Sequence, residues 1–226
     1  MIWLLETPSQ ALSYSIMIIF FCMKLVFPTI LLSLLIIQGY SQSFDLKSGD
    51  LLFVGSSASG LSEAIDQVTQ TSSNQHYVHV ALVESKNDTT WVIHADSEDG
   101  VIREPLNAFI SDRPVVDAFR IQTVTEKHIQ SALSLAHKQI GQPYNFSYVM
   151  SDSGYYCSEL IYEVYNTAQI FELNPMTFKD PETKAFYQAW VEHYEKLGIP
   201  IPEDKPGCNP NGMAADSDLV LLGTLK

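Results

Sequence analysis

The sequence predicts an α+β fold. Strand-like and helix-like runs follow one another in mixed order, with the strands bracketed by helices. Two apolar runs, Val78–Val83 and Thr89–Ala95, are joined by a connection so short that they read as neighbouring antiparallel strands. A stripe at helical spacing, Leu160, Ile161, Val164 and Tyr165, starts just after Gly154. With 226 residues, 46% of them hydrophobic, the chain has material for one domain with a real core and room for one insertion.

Taken in order, the turn Leu46-Lys47-Ser48-Gly49-Asp50 leads into a short strand, Asp50–Val54, and Gly55–Ser59 is a polar loop. Leu61–Val68 reads as a short amphipathic helix that Ser59 or Ser62 can cap. The connection Glu84–Asp88 centres the following hairpin near residue 87 and sets His79 opposite roughly His94. Val101–Arg103 is a further strand after the turn Glu98-Asp99-Gly100. A helix over Leu106–Ile110 and a strand over Val115–Ile121 come next. Ile129, Leu133, Ala136 and Ile140 recur at helical spacing within Thr125–Ile140, with Thr125 as its cap. The loop Gly141–Gly154 then leads to the helix that opens near Cys157. Pro175–Gly212 is proline-rich and holds a helix over about Pro181–Leu197, and Asp218–Leu225 closes the chain as a strand.

The N-terminus reads as a targeting signal, residues 1–41. Lys24 begins a short positive region, Leu25–Ile37 is apolar apart from Pro28, and Gly39-Tyr40-Ser41 offers small residues for cleavage before Gln42. A second apolar run, Ile16–Cys22, precedes Met23, so residues 1–22 read as a mis-assigned extension. This predicts an exported domain, secreted or periplasmic, over residues 42–226. The rival reading is an uncleaved anchor, which would make this segment the chain's only membrane contact. The formal net charge of −13 argues against partners bound by their own negative charge, nucleic acid and anionic membranes.

Export leaves two cysteines, Cys157 and Cys208, which could pair in an oxidising compartment. They differ in setting, since Cys157 opens a helix and Cys208 lies in the loop Pro206-Gly207-Cys208-Asn209-Pro210. One bridge is also a weak staple for a domain this size, so two free thiols are expected. A thiol in the first turn of a helix meets unpaired backbone N–H groups and the positive end of the dipole, which favour the nucleophilic thiolate. A small buried residue or half of a disulfide are the alternatives at this position. His79 shares a strand face with Ala81 and Val83, and His94 lies in the next strand, so one imidazole can orient the other. A zinc site built from both histidines and Cys157 matches none of the usual ligand spacings, and no metal or cofactor is expected.

The order Gly49-Asp50-Leu51-Leu52-Phe53, then His79-Val80-Ala81-Leu82-Val83, Gly141-Gln142-Pro143-Tyr144-Asn145-Phe146 and Tyr156-Cys157-Ser158-Glu159-Leu160 resembles the permuted papain-fold enzymes of the YiiX/YaeF type. These are relatives of NlpC-type cell-wall peptidases and, more distantly, of lecithin retinol acyltransferase. The resemblance covers about residues 44–222 and implies a circularly permuted papain-like fold, an antiparallel sheet packed against helices. It implies Cys157 as nucleophile, His79 as general base and His94 in the orienting position, where many YiiX-type proteins carry glutamate. Asn145 stands where an aspartate is expected, which affects a local cap. Tyr156 is a candidate oxyanion donor, beside the Cys157 backbone N–H. The function expected is an exported cysteine hydrolase cleaving an amide bond, in a cell-wall peptide or a related substrate of a bacterial envelope. Acyl hydrolysis or transfer on a lipid is the second expectation, and a non-catalytic binding or structural domain the third. The aromatic-rich stretch of about 171–212 is too short for a core of its own and is expected to form one wall of the cleft, with Cys208 as a packing residue.

Overall fold

Alternating apolar side chains build a six-stranded antiparallel sheet, in the order β4-β3-β2-β1-β5-β8. Its strands are β1 (Leu51–Gly55), β2 (Tyr77–Lys86), β3 (Thr89–Asp96), β4 (Gly100–Pro105), β5 (Val116–Ile121) and β8 (Leu219–Thr224). The structure, a computed structural model, describes residues 44–57, 60–72 and 75–226. The expected signal over residues 1–41 and the Ser59 cap lie outside the described residues. Ser62 sits inside the first helix, where its hydroxyl accepts from the Ser57 N–H at 3.2 Å.

Both faces of the sheet are covered. Phe53, Val80, Leu82, Ile93 and Phe119 pack on one side against the helices α3 (Glu126–Gln139) and α4 (Cys157–Tyr165). Ala81, Val83, Val92 and Val116 pack on the other against Phe109 of α2 (Leu106–Ser111). Thr125 caps α3 as expected, and His128 returns the bond to the Thr125 N–H, each at 3.4 Å. A third cluster joins α1 (Gly60–Val68) to α5 (Gln188–Leu197) through Ala64, Phe178, Trp190 and Tyr194. The two-stranded pair β6 (Asn174–Pro175) with β7 (Pro206–Gly207) ties together the ends of that excursion.

Two elements differ from expectation. The helix expected from Pro181 begins only at Gln188, because Asp180 Oδ1 accepts from the N–H groups of Glu182 and Thr183 and holds a turn there. A short helix, α6 (Pro210–Ala214), follows Cys208, with the Asn209 side chain accepting from the Gly212 N–H at 2.7 Å and Pro210 at the first position.

The hairpin is closed by Asn87 and Asp88, both left-handed at φ 52° and 59°, the two-residue turn that matches strand twist. Its register puts Leu82 opposite Ile93, so Ala81 and not His79 would continue opposite His94. The displacement is even, which leaves every side chain on its expected face. The β2–β3 ladder ends at Leu82 and Ile93, yet β2 stays paired to β1 as far as Tyr77 and β3 to β4 as far as Asp96. The sheet therefore opens between β2 and β3.

The first turn of α4 is fastened by Glu159, whose Oε2 accepts from the Tyr156 N–H and from Asn145 Nδ2, each at 3.1 Å. Burial pushes this carboxyl up to about 7. The unfolded value is about 4.3, so the folded state holds the proton more tightly, and the resulting stability is complete below about 4.3 and is lost as pH rises through 7. Thermal unfolding of Glu159→Gln beside the parent should show the variant gaining ground from pH 5 to pH 8. A difference in melting temperature that stays constant over that range would refute the burial effect.

Candidate active site

Cys157 is the first residue of α4, entered through an extended Tyr156 (φ −88°, ψ 167°). The helix aims it into the opening between β2 and β3. The Val83 N–H and carbonyl bond toward the β1 side, so by alternation Leu82 and Val80 turn their polar groups toward β3. At Val80 the β3 ladder has already ended. The sulfur takes up the freed groups: it lies 3.9 Å from the Val78 carbonyl oxygen and is hydrogen-bonded by the Val80 N–H. The thiol thus meets the backbone on either side of His79. Burial pushes it up to about 11, against hydrogen bonds from Val80, Ser158 and its own N–H. The expectation that the helix start would yield a resting thiolate is reversed, because desolvation outweighs the dipole.

His79 and His94 are in contact. His79 Nε2 lies 3.0 Å from His94 Nδ1, and His94 Nε2 lies 3.0 Å from Glu104 Oε1 on β4. An ionised carboxylate only accepts, so His94 carries its proton on Nε2 and accepts on Nδ1. His79 then donates from Nε2, which leaves its Nδ1 as the basic nitrogen. Arg113 stands beside this chain, its guanidinium 4.1 Å from the Phe109 ring centroid and 3.9 Å from Glu104. Burial, then His94 and the Arg113 cation, hold His79 well below the usual histidine range. Burial lowers His94 as well, with Glu104 opposing. Both imidazoles are neutral at neutral pH.

The His79 ring packs on Phe109 with centroids 6.2 Å apart, so it stands on the α2 side of the sheet, while Cys157 belongs to the core on the α3–α4 side. The structure brings the two histidines together and seats the thiol over the His79 backbone. Sγ donates to the Val78 carbonyl and accepts from the Val80 N–H, while His79 Nε2 is bonded to His94.

A cavity of about 120 Å³ opens onto the thiol, lined by α1 residues, Tyr144, Tyr148, Trp190 and the segments around Met176 and Cys208. Both cysteines are free. Cys208 is pushed up to about 12 by burial, and its N–H donates to the Tyr156 hydroxyl at 3.3 Å. The Tyr156 hydroxyl is therefore engaged by the Cys208 loop. Two phenols that sequence reasoning passed over, Tyr144 and Tyr148, are hydrogen-bonded to each other and are pushed above the usual phenol range, by burial first. Only Asn145 drew notice in that motif. Glu104 was also missed, since nothing in a strand's pattern tells which carboxylate will meet a histidine on its neighbour.

The segment carrying Tyr144 is held by main chain on both sides. Val101 N–H donates to the Gln142 carbonyl at 2.8 Å, and Tyr155 N–H to that of Pro143 at 3.1 Å. Two left-handed glycines permit this approach: a Cβ on Gly100 (φ 74°) would collide with the Gln142 carbonyl, and one on Gly154 (φ 92°) with that of Pro143.

Residues 45–223 match the permuted papain-like amidase family, YaeF/YiiX, C92. The chain belongs to that family. It is 27% identical over 163 residues to the uncharacterized protein YiiX of Escherichia coli (strain K12), an alignment covering 70% of this chain and 77% of that protein. It is also similar to the crystal structure of the metalloprotein yiiX from Escherichia coli O157:H7, with a TM-score of 0.65 and 23% identity, covering 80% of this chain and 98% of that one. As a member of this amidase family the protein is a cysteine peptidase- or amidase-like hydrolase on a permuted papain-like α+β fold. Among the described residues no group of three or more His, Cys, Asp and Glu side chains is placed to hold a metal ion.

The buried, protonated thiol has a measurable consequence. Alkylation of Cys157 by iodoacetamide, followed by mass spectrometry of the labelled peptide, should accelerate by about tenfold per pH unit between pH 7 and 9, since thiolate is the minority form below about 11. A rate already level at pH 5–6 would mean a preformed thiolate–imidazolium pair and overturn this assignment.

Proposed function

We propose that this protein is an exported hydrolase that cleaves an amide bond through an acyl-enzyme on Cys157. The observation that carries this reading is the thiol at the start of α4, seated against the backbone of His79, whose basic nitrogen is defined by a carboxylate-terminated chain. His79 Nδ1 accepts the thiol proton as sulfur attacks the carbonyl carbon. For this step the His79 imidazole, which stands on the α2 side of the sheet, must reach the thiol across the β2–β3 opening, since in the structure it is bonded to His94 and the sulfur to the Val78 carbonyl. The two groups are neutral before attack, so proton transfer accompanies bond formation.

The developing oxyanion meets the Cys157 and Ser158 N–H groups at the helix start, with Tyr144 or Tyr148 as a phenolic donor. His79 then protonates the leaving amine, and water releases the acyl group. His94 orients His79, and Glu104 fixes the tautomer of both rings; both are positioning residues. Export rests on the residues before Gln42, and a bacterial envelope is the setting that the family resemblance implies. Cell-wall peptides are one substrate class with the required bond. The uncharged walls of the cavity favour an acyl amide over them.

Kinetics on an amide substrate separate the roles. Cys157→Ala and His79→Ala should each lower kcat by at least about 10³-fold, because the two act as one unit. His94→Ala should cost less, and Glu104→Gln less again, with the acidic limb of the pH–kcat profile displaced in both. Wild-type turnover in Cys157→Ala would discard the nucleophile. Equal losses in His79→Ala and His94→Ala with release of bound zinc would replace the acyl-enzyme by a metal site.

Cys208→Ser should keep most activity. Intact mass of the non-reduced exported protein checks the companion expectation, two free thiols. A Cys157–Cys208 bridge in the active form would remove the nucleophile and the reading with it.

A further inference from the structure

The two edges of the six-stranded sheet are finished differently. At β4 the Val101 N–H donates to the Gln142 carbonyl and the Val101 carbonyl accepts from the Gly141 N–H, each at 2.8 Å. The rest of that edge carries Arg103, Glu104 and Pro105: a cation paired with Glu84, an acid, and a residue with no N–H to offer. Main-chain cover, charge and proline are the devices that keep a further strand away.

β8 lacks them. It is the last strand of the sheet, and among the described residues no strand lies on its outer side. Residues 219–225 include no charge and no proline. Val220 is 39% exposed and Leu221 53%, and Val115, just before β5, is 40% exposed. A bulge at Leu222 adds twist, yet Leu219, Val220 and Leu221 pair regularly with Ile121, Arg120 and Phe119. An apolar strand with one side unpaired is a template for another strand.

Charge indicates which strand. Asp216 and Asp218 stand at one end of the run and Lys226 at the other. Among the described residues none of the three is in an ion pair. Lys226 Nζ rests on the carbonyls of Ile110 and Ser111, which leaves its charge without a counter-charge. A second copy laid antiparallel along β8 brings its Lys226 to the acidic end, and the exchange is made twice about a two-fold axis. A parallel approach sets like ends together. The formal net charge of −13 opposes any association without such local compensation.

We propose that β8 is a homodimer interface, at which two copies join edge to edge and antiparallel into one continuous sheet, with Leu221 on the two-fold axis. Each copy offers one bare edge, so assembly stops at two. β1 and β5 separate β8 from the β2–β3 opening, so both thiols remain open to substrate. The inference is independent of the amidase reading.

Sedimentation equilibrium of the full exported protein over about 1–100 µM should show the mass rising from one copy to two. Leu221→Lys should keep the mass of one copy throughout, with parental melting temperature and amide turnover. Leu221→Cys should cross-link into a covalent dimer on mild oxidation, whereas Asp99→Cys, in the turn beside the covered edge, should not. Asp218→Lys should weaken the dimer by at least about fivefold, and adding Lys226→Asp should recover part of that loss. A single-copy mass at every concentration overturns the proposal, and so does a dimer that Leu221→Lys leaves intact. If Leu221→Lys does not fold, Val220→Lys and the cysteine pair decide. Cross-linking at 99 but not at 221 removes β8 as the interface.

Discussion

The opening between β2 and β3 is what the rest of the site depends on. A sheet that stops pairing in its interior leaves backbone donors and acceptors in a dry place, and such groups must be met. Here the start of α4 meets them. The sulfur of Cys157 faces the Val78 carbonyl and the Val80 N–H, where β3 would otherwise have continued. The interruption therefore both creates the site and seats its thiol. It also leaves β3 free to carry His94 away from β2 at a distance that a second imidazole, and not a backbone bond, can bridge.

Polarity runs through that bridge in one direction. Glu104 can only accept, and this single fact sets the tautomer of two rings and the identity of the basic nitrogen at the far end. Arg113 stands beside the chain. Its Nε is, among the described residues, the one buried side-chain polar atom without a partner, and its charge adds to burial, the larger cause, in holding both histidines below their usual range. The thiol and both imidazoles rest uncharged in a low-dielectric setting. A charged resting pair there would have to overcome the desolvation that raises the thiol.

Much of this was legible in the sequence. Period-two alternation put His79 and His94 on one face, and the contact survived a register displaced by two residues because an even slip changes neighbours and not faces. Gly154 followed by an apolar stripe placed Cys157 at a helix start. The family motifs named the same residues. What stayed hidden depended on contacts between segments distant in the chain. Glu104 faces His94 from another strand, and the two phenols become neighbours of the thiol only when the loop before α4 folds back. The thiol's protonation was misjudged for a related reason: a dipole can be read from one helix, whereas burial is set by everything packed around it. The late start of α5 shows the same limit at short range, where one aspartate's turn overrides a helical pattern.

The two glycines that flank the Tyr144 segment carry a different kind of consequence. They are the points at which the loop before α4 is gripped, and the grip is made of main-chain bonds that any residue type at 142 or 143 can offer through its carbonyl. The frame of the site is thus insulated from most changes in its own side chains, which leaves them open to drift toward other substrates. The fragility sits at Gly100 and Gly154, which present no side chain to a ligand. Adding a single carbon at either would shift the floor of the cavity while leaving every chemically reactive group unaltered.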